Sequence, residues 1–292
     1  MKRFWFNIFY VFAWLITLLP LRVLYIISDL FYCLVYHVFR YRRKVVAKNL
    51  KNAFPERTPG ELDKISRRFY RHLTDLIIES VKAMHMSPRQ ISRRFTTPDL
   101  PLIERLFNEG KDIVALTSHY NNWEWLSSFQ LFTSYRAATI YKPLKDKYFD
   151  GLMLKLRTRY GVFPMPMHRT MRDLVMFRKR DVRTLTAFIA DQSPSAGENS
   201  FWTTFLNQDT DFYRGPEKIA VKFNMAVIFV HVKKIRRGYY EASCRLITEN
   251  ASEEEPDYIT SRYVEILEGI IREKPEYWLW SHRRWKHKRK VL

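Results

Sequence analysis

The sequence predicts an α/β fold, a mixed sheet flanked by helices, preceded by an N-terminal apolar segment that anchors the chain to a membrane. Three observations carry this. Short apolar runs of strand length, such as Ile113-Val114-Ala115-Leu116 and Ala226 to Val232, recur along the chain. Stretches with helical periodicity separate them, the alternation that marks α/β architecture. From Phe4 to Phe39 the only formally charged residues are Arg22 and Asp29.

That apolar run stands apart from the rest. A single helix over its length would reach roughly 54 Å, well beyond a hydrocarbon core of about 30 Å. Pro20 interrupts it, so a kinked pair is expected, one part inserted and the other lying in the interface. No small-residue cleavage site follows a short apolar core, so a signal peptide is not the reading. Lys2 and Arg3 precede the run; Arg40, Arg42, Arg43, Lys44, Lys48 and Lys51 follow it. The larger basic cluster favours a domain on the cytoplasmic face, against anionic lipid. Residues 1–40 are therefore expected to be the membrane anchor and residues 41–292 the folded domain.

Further along, Thr58-Pro59-Gly60-Glu61 opens a helix over residues 60–87, ended by Pro88, and Pro101 to Gly110 forms a shorter one. Asp112 to Ser118 reads as a buried strand running directly into His119. Trp123 to Ser134 is expected to be helical, Arg136 to Tyr141 a strand, and Asp146–Tyr160 and Thr170–Lys179 helices. Phe163-Pro164-Met165-Pro166-Met167 reads as a stiff loop. Thr184 to Ala190 is a third strand, ending in Asp191-Gln192. A short helix over Gly215–Asn224 then leads into paired strands at Ala226–Val232 and Tyr239–Thr248 and a last helix, Asp257–Glu273. In such sheets, sites gather at the carboxyl ends of strands, where His119 and Asp191 both fall.

Composition narrows the class of function. With 47% apolar residues and only 8 Gly and 13 Pro, disorder and fibrous repeats are excluded. A net charge of +20 and 16% aromatics suit nucleic acid, an anionic membrane or an acidic partner. The basic residues are scattered over several elements with no nucleic-acid module, so nucleic acid is not expected. Cys33 and Cys244 lie too far apart for metal-ligand spacing and are expected to be buried free thiols.

A His followed five positions later by an acid is weak on its own, because 8 His and 30 acids give about one match by chance. The chain holds two, His119/Glu124 and His168/Asp173. Only His119 leaves a strand and enters a turn, where the Glu124 carboxylate can fold back towards the imidazole; His168 reads as a surface-loop histidine. A neutral imidazole in that position can take a proton from an attacking hydroxyl, with a carboxylate holding its tautomer.

These residues resemble the glycerolipid-type acyltransferases marked by His-x4-Asp/Glu, and within them the bacterial lipid A biosynthesis late acyltransferases of the lauroyl/myristoyl type. The likeness extends over nearly the whole chain. Asp112 to Trp125 is similar to the family's first block, a strand leading into a His-Phe-Gly-Asn-Trp-Glu-like motif, with Tyr120 and Asn121 replacing its Phe-Gly. Tyr141-Lys142-Pro143-Leu144 resembles the second block. Asp191-Gln192 with Phe201 to Phe205 resembles the third, and Tyr277 to Trp285 the terminal Tyr-x-Trp-x-His-Arg-Arg-Phe block. The Glu-Gly-x-Arg signature of glycerol-phosphate acyltransferases is absent.

The resemblance implies a glycerolipid acyltransferase-like fold at the bacterial inner membrane. It implies an O-acyltransferase using acyl carrier protein or acyl-CoA as donor, and neither cofactor nor metal. The acceptor implied is a hydroxyacyl hydroxyl of a lipid A precursor, with an aminolipid or glycosylated phospholipid as the alternative. It makes His119 the general base and Glu124 its partner. Asn122, Lys142, Arg157, Arg159 and Arg169 become candidates for substrate, oxyanion or phosphate contacts, and Asp191 and Gln192 for bracing the site. The run Arg283 to Lys288 is expected to rest on phospholipid head groups, to grip a phosphorylated glycolipid, or to be a solubilising tail.

Overall fold

The computed structural model describes residues 2–194 and 200–289. The apolar run forms α1 (Lys2–Ile16) and α2 (Leu21–Cys33), with Pro20 capping the second. A π-type turn, Leu34–Val38, extends α2. By length and composition Leu21–Val38 can cross a membrane, and a third of it is buried inside the protein. Next come α3 (Arg43–Ala53) and α4 (Pro59–Lys82). The capping box at Thr58 and Glu61 satisfies the first amides of α4. Pro88, read as a breaker, instead sits in the first turn of α5 (Pro88–Ser92), where its missing N–H costs nothing.

The remaining elements are β1 (Phe95–Thr96), α6 (Leu100–Asn108), β2 (Ile113–Thr117), β3 (Arg136–Tyr141), α7 (Lys147–Thr158), β4 (Phe163–Pro166), α8 (Thr170–Lys179), β5 (Thr184–Ile189), β6 (Ser200–Phe205), β7 (Gln208–Tyr213), α9 (Gly215–Phe223), β8 (Ala226–Arg236), β9 (Tyr239–Thr248) and α10 (Tyr258–Glu273). Seven strands form a mixed sheet in the order β1-β9-β8-β2-β5-β3-β4, while β6 and β7 form a separate hairpin. β2, β3, β4, β5 and β8 are parallel, β9 runs antiparallel to β8, and β1 follows β9.

Both faces of this sheet are covered, which explains the unbroken apolar runs of its central strands. Val114, Leu116, Val227 and Phe229 point into one core with α4, α10, the hairpin and the C-terminal tryptophans. Ile113, Ala115, Ala226 and Ile228 point into the other, with Ile91, Ile103, Leu106 and Phe129. The fold class read from the sequence is the one observed.

One local reading is refined and two are corrected. The helical stretch read over Trp123 to Ser134 is a 3-10 segment that ends at Leu131. The Pro-rich stretch after Gly161 is strand β4, which its prolines permit because it is an edge strand with no further neighbour to receive an N–H. Cys244 is buried, but Cys33 is exposed, on the outer side of α2.

α2 is docked rather than free. Ser28 Oγ donates to Asp75 at 2.8 Å and Tyr25 Oη to Glu79 at 2.8 Å, both on α4. Arg237, in the β8–β9 turn, bridges Asp29 at 2.7 Å and Asp75 at 2.5 Å. Gly238 completes that turn at φ 74°, and a Cβ there would lie 2.1 Å from the Tyr25 hydroxyl, so the close approach requires glycine. At the other end of the core, Trp280 is fully buried, edge-on to Trp278 with centroids 4.8 Å apart. Trp280→Ala is expected to lower the unfolding free energy by about 3–5 kcal/mol; denaturant titration in detergent, followed by tryptophan fluorescence, measures it.

Candidate active site

β2 and β5 are neighbours, with Thr117 in register with Ile189. Each chain runs two residues further and so brings His119 opposite Asp191. Asp191 Oδ1 accepts from His119 Nδ1 at 2.7 Å, and Oδ2 accepts from the His119 backbone N–H at 3.0 Å. Oδ2 also accepts from the Trp278 indole at 2.8 Å. Burial would raise the Asp191 carboxyl, but the facing His119 and these hydrogen bonds hold it below the usual aspartate range. An ionised, acceptor-only carboxylate fixes the proton on Nδ1 and leaves Nε2 with a lone pair. The Gln192 side-chain amide donates to Nε2 at 3.2 Å, and the Trp123 ring meets the imidazole edge-on at 5.0 Å.

The turn after His119 depends on Asn121, which takes φ 52° where the resembled motif has glycine. Asparagine tolerates this left-handed conformation better than most residues, and its side chain is held by Val232 O at 2.8 Å. The C-terminal strap lies alongside this turn. Asn121 N donates to Tyr277 O at 3.0 Å and Leu279 N to His119 O at 3.1 Å.

Glu124 does not reach the imidazole. Its two oxygens accept a fork from Arg157 of α7, at 3.0 and 2.8 Å, and Trp123 Nε1 adds a donor at 3.2 Å. The carboxylate that orients His119 is Asp191, and the partner role that the resemblance implied for Glu124 is not the contact it makes.

His119, Glu124, Arg157, Gln192 and Lys142 line one cavity of about 510 Å3, a size suited to a lipid or small-molecule ligand. Its deeper walls are apolar, among them Ala115, Leu126, Phe129, Val162 and Leu185. Other candidates lie elsewhere. Asn122 is buried, donates to Glu79 at 2.7 Å and caps the 3-10 segment. Arg159 donates to Met86 O at 3.3 Å, and exposed Arg169 pairs with Asp173 at 3.4 Å; neither lines the cavity. His168 is exposed, as read. Asp191 is buried behind the imidazole, so it braces His119 and is not placed to touch a substrate.

Sequence reasoning missed His282, which is on the cavity wall together with Lys286 of the terminal basic run. The terminal basic run is no free tail: Arg284 is buried against Asp211, Trp285 donates to Thr210 at 2.8 Å, and His287 contacts Asp211 at 2.7 Å. Pinning those residues to β7 turns His282 and Lys286 towards the site. A tail read residue by residue carries no signal for this; the histidine inside an aromatic-flanked block was the one available.

The bacterial lipid A biosynthesis acyltransferase family model matches residues 1–287. The chain belongs to that family. It is 22% identical over 287 residues to the lipid A biosynthesis palmitoleoyltransferase of Escherichia coli (strain K12), covering 97% of this chain and 92% of the relative. The lipid A biosynthesis acyltransferase of Shigella flexneri matches with the same identity and coverage. The blocks that carried the resemblance thus lie within a match spanning nearly the whole chain.

Burial pushes the His282 imidazole down to about 4; Asp191 opposes this, while His119, Arg284 and Lys286 add to it. A histidine held neutral in the fold, with an ordinary value near 6.5 when unfolded, binds fewer protons folded than unfolded across that interval. Its contribution to stability is present above about pH 6.5 and is lost as pH falls towards 4. His282→Gln should therefore show a shallower loss of unfolding free energy than the parent between those pH values. Parallel denaturation curves at several pH values check this, and identical slopes would contradict it.

Proposed function

We propose that this protein transfers a fatty acyl chain from an acyl thioester, carried by acyl carrier protein, to the hydroxyl of a hydroxyacyl chain on a lipid A precursor. The observation that carries this reading is the His119 Nε2 lone pair, oriented by Asp191, at the head of an apolar cavity. Membership of the lipid A acyltransferase family supports the reaction class.

In the proposed reaction the acceptor hydroxyl replaces Gln192 at Nε2. His119 takes its proton as the oxygen attacks the thioester carbonyl. Arg157, held by Glu124, supplies positive charge on the cavity wall for the tetrahedral oxyanion, and Gln192 a further donor. Collapse breaks the carbon–sulfur bond, and the departing thiolate takes the proton from the imidazolium. The products are an ester and a free thiol, with no covalent enzyme intermediate. Lys142 and Lys286, both exposed at the rim, suit the phosphates of the acceptor or the acidic carrier.

The proposed setting is the cytoplasmic face of the bacterial inner membrane, with residues 1–40 as anchor and residues 41–292 as the acyltransferase domain. Phe4, Trp5, Phe9, Phe12, Ile26 and Leu30 present exposed apolar side chains on α1 and α2, as a lipid-facing surface does. Deleting the anchor would also expose the core that Tyr32, Val35 and Tyr36 enter, so point changes test it better. Phe9→Asp combined with Phe12→Asp should shift the protein from sedimenting with anionic vesicles towards the supernatant.

His119→Ala should lower transfer from acyl carrier protein to a lipid A precursor by roughly 100- to 10,000-fold while the protein remains folded. Asp191→Asn should cost a similar factor by misdirecting the tautomer. Rates by thin-layer separation of radiolabelled lipid, with circular dichroism for folding, decide it; full turnover by the His119 variant would overturn the base assignment.

A further inference from the structure

The cavity reaches both faces of the sheet. Parallel neighbours in register point the same way, so Ala115, Ala187 and Thr139 form one row across β2, β5 and β3. That row faces the core containing Phe129 and Leu185, and all five residues line the cavity. Leu116, Phe188 and Ile140 alternate with them and belong to the opposite core. Phe188 and Ile140 also line the cavity, together with Met171 of α8 and Pro216 and Ile219 of α9. Two apolar beds on opposite faces therefore meet at the strand ends, where His119 and Gln192 sit.

The beds differ in kind. On the first face, the two alanines and Thr139 leave room between the sheet and the 3-10 segment Trp123–Leu131. That bed ends on Ala115, Phe129 and Leu185, each at most 5% exposed. Small side chains on that face suit one unbranched chain that enters by its methyl end. On the second face Ile140, Met171 and Ile219 are half-buried and Phe188 and Pro216 are buried; these bulkier side chains suit the shorter distal stretch of a chain whose parent molecule stays outside.

The chemistry asks for two beds. Under the acyl-transfer reading, on which this inference rests, the nucleophile is a hydroxyl borne along an acyl chain. Bringing that oxygen to Nε2 draws the carbons beyond it out of the bilayer and past His119. They need apolar cover as much as the donor chain does, since each methylene exposed to water is unfavourable.

We infer that the bed lined by Ala115, Ala187, Thr139 and Phe129 holds the donor acyl chain, and that the bed lined by Ile140, Phe188, Met171 and Ile219 holds the distal part of the acceptor's own hydroxyacyl chain. His119 stands between them, so each chain length is measured on its own face of the sheet.

The test is a two-way substrate series with the full-length protein in detergent. One axis is acyl carrier protein loaded with chains of increasing length; the other is a lipid A precursor whose hydroxyacyl chain is progressively shortened. Ala187→Leu should cut kcat/KM for the longest donors roughly tenfold or more relative to short ones, without altering the dependence on acceptor chain. Met171→Trp should do the converse. Leu126→Trp and Ile219→Trp repeat the two arms where a first variant fails to fold. The inference is overturned if both arms shift the donor preference, if they exchange roles, or if Met171→Trp and Ile219→Trp leave the acceptor dependence unchanged. Failure of the parent protein to transfer any acyl chain would instead remove the acyl-transfer reading itself, a result distinct from a misassigned bed.

Discussion

The buried carboxylate of Asp191 is the constraint on which the strand ends depend. A charge withdrawn from water is tolerated only when its lone pairs are occupied. Here the His119 ring, the His119 backbone and the Trp278 indole occupy them. Those three donors come from the end of β2 and from the C-terminal strap, so satisfying one carboxylate locks three distant stretches of chain together. The same contacts set the tautomer that leaves the His119 lone pair on Nε2, where the Gln192 amide meets it. Stability and the proposed chemistry share one group.

A second carboxylate supports the turn from behind. Glu79 on α4 accepts from Asn122 Nδ2 at 2.7 Å, from Tyr25 Oη at 2.8 Å and from Tyr240 Oη at 2.8 Å. Its backbone carbonyl takes the Trp125 indole at 3.3 Å. Burial raises the Glu79 carboxyl, and the hydroxyl donors work against that. The stretch from Ser118 to Asn122 has no helix or strand of its own to fix it. It is held on one side through Asp191 and on the other through Glu79, and the second hold reaches α2 directly through Tyr25. The apolar N-terminal helix is thus part of the scaffold of the site as well as its proposed tether.

Much of this was legible in the sequence where the physics is local. The apolar run Ile113–Leu116, the Thr58/Glu61 capping box and the alternation of strand and helix all act within a few residues. They gave the central sheet, α4 and the placing of His119 at a strand end. What stayed hidden was set by register or by exceptions to turn chemistry. The β6–β7 hairpin turns on Leu206 and Asn207, at φ 51° and 60°. Glycine or asparagine is the usual signal for such a turn, and a leucine masks it; Leu206 is held there by its complete burial. β4 was hidden by two prolines that only an edge position tolerates. His119 and Asp191 were legible as two strand ends, with Asp191 as a brace; that they meet, 72 residues apart, depends on the parallel pairing of β2 with β5, which has no local mark.

The motif itself looks different once its two residues are placed. A fixed His-x4-Glu spacing invites the idea that the carboxylate serves the imidazole, but here the two groups face different partners. The left-handed Asn121 and the Asn122 cap redirect the chain into a 3-10 segment, and Glu124 emerges against α7 rather than over His119. The spacing then fixes the distance between an imidazole and a guanidinium: His119 held by Asp191, Arg157 held by Glu124. An attacking oxygen and a developing oxyanion are separate points in space, and a five-residue turn braced at both ends sets the separation between the groups that would meet them. Two carboxylates each orient one group on the cavity wall, Asp191 the imidazole and Glu124 the guanidinium.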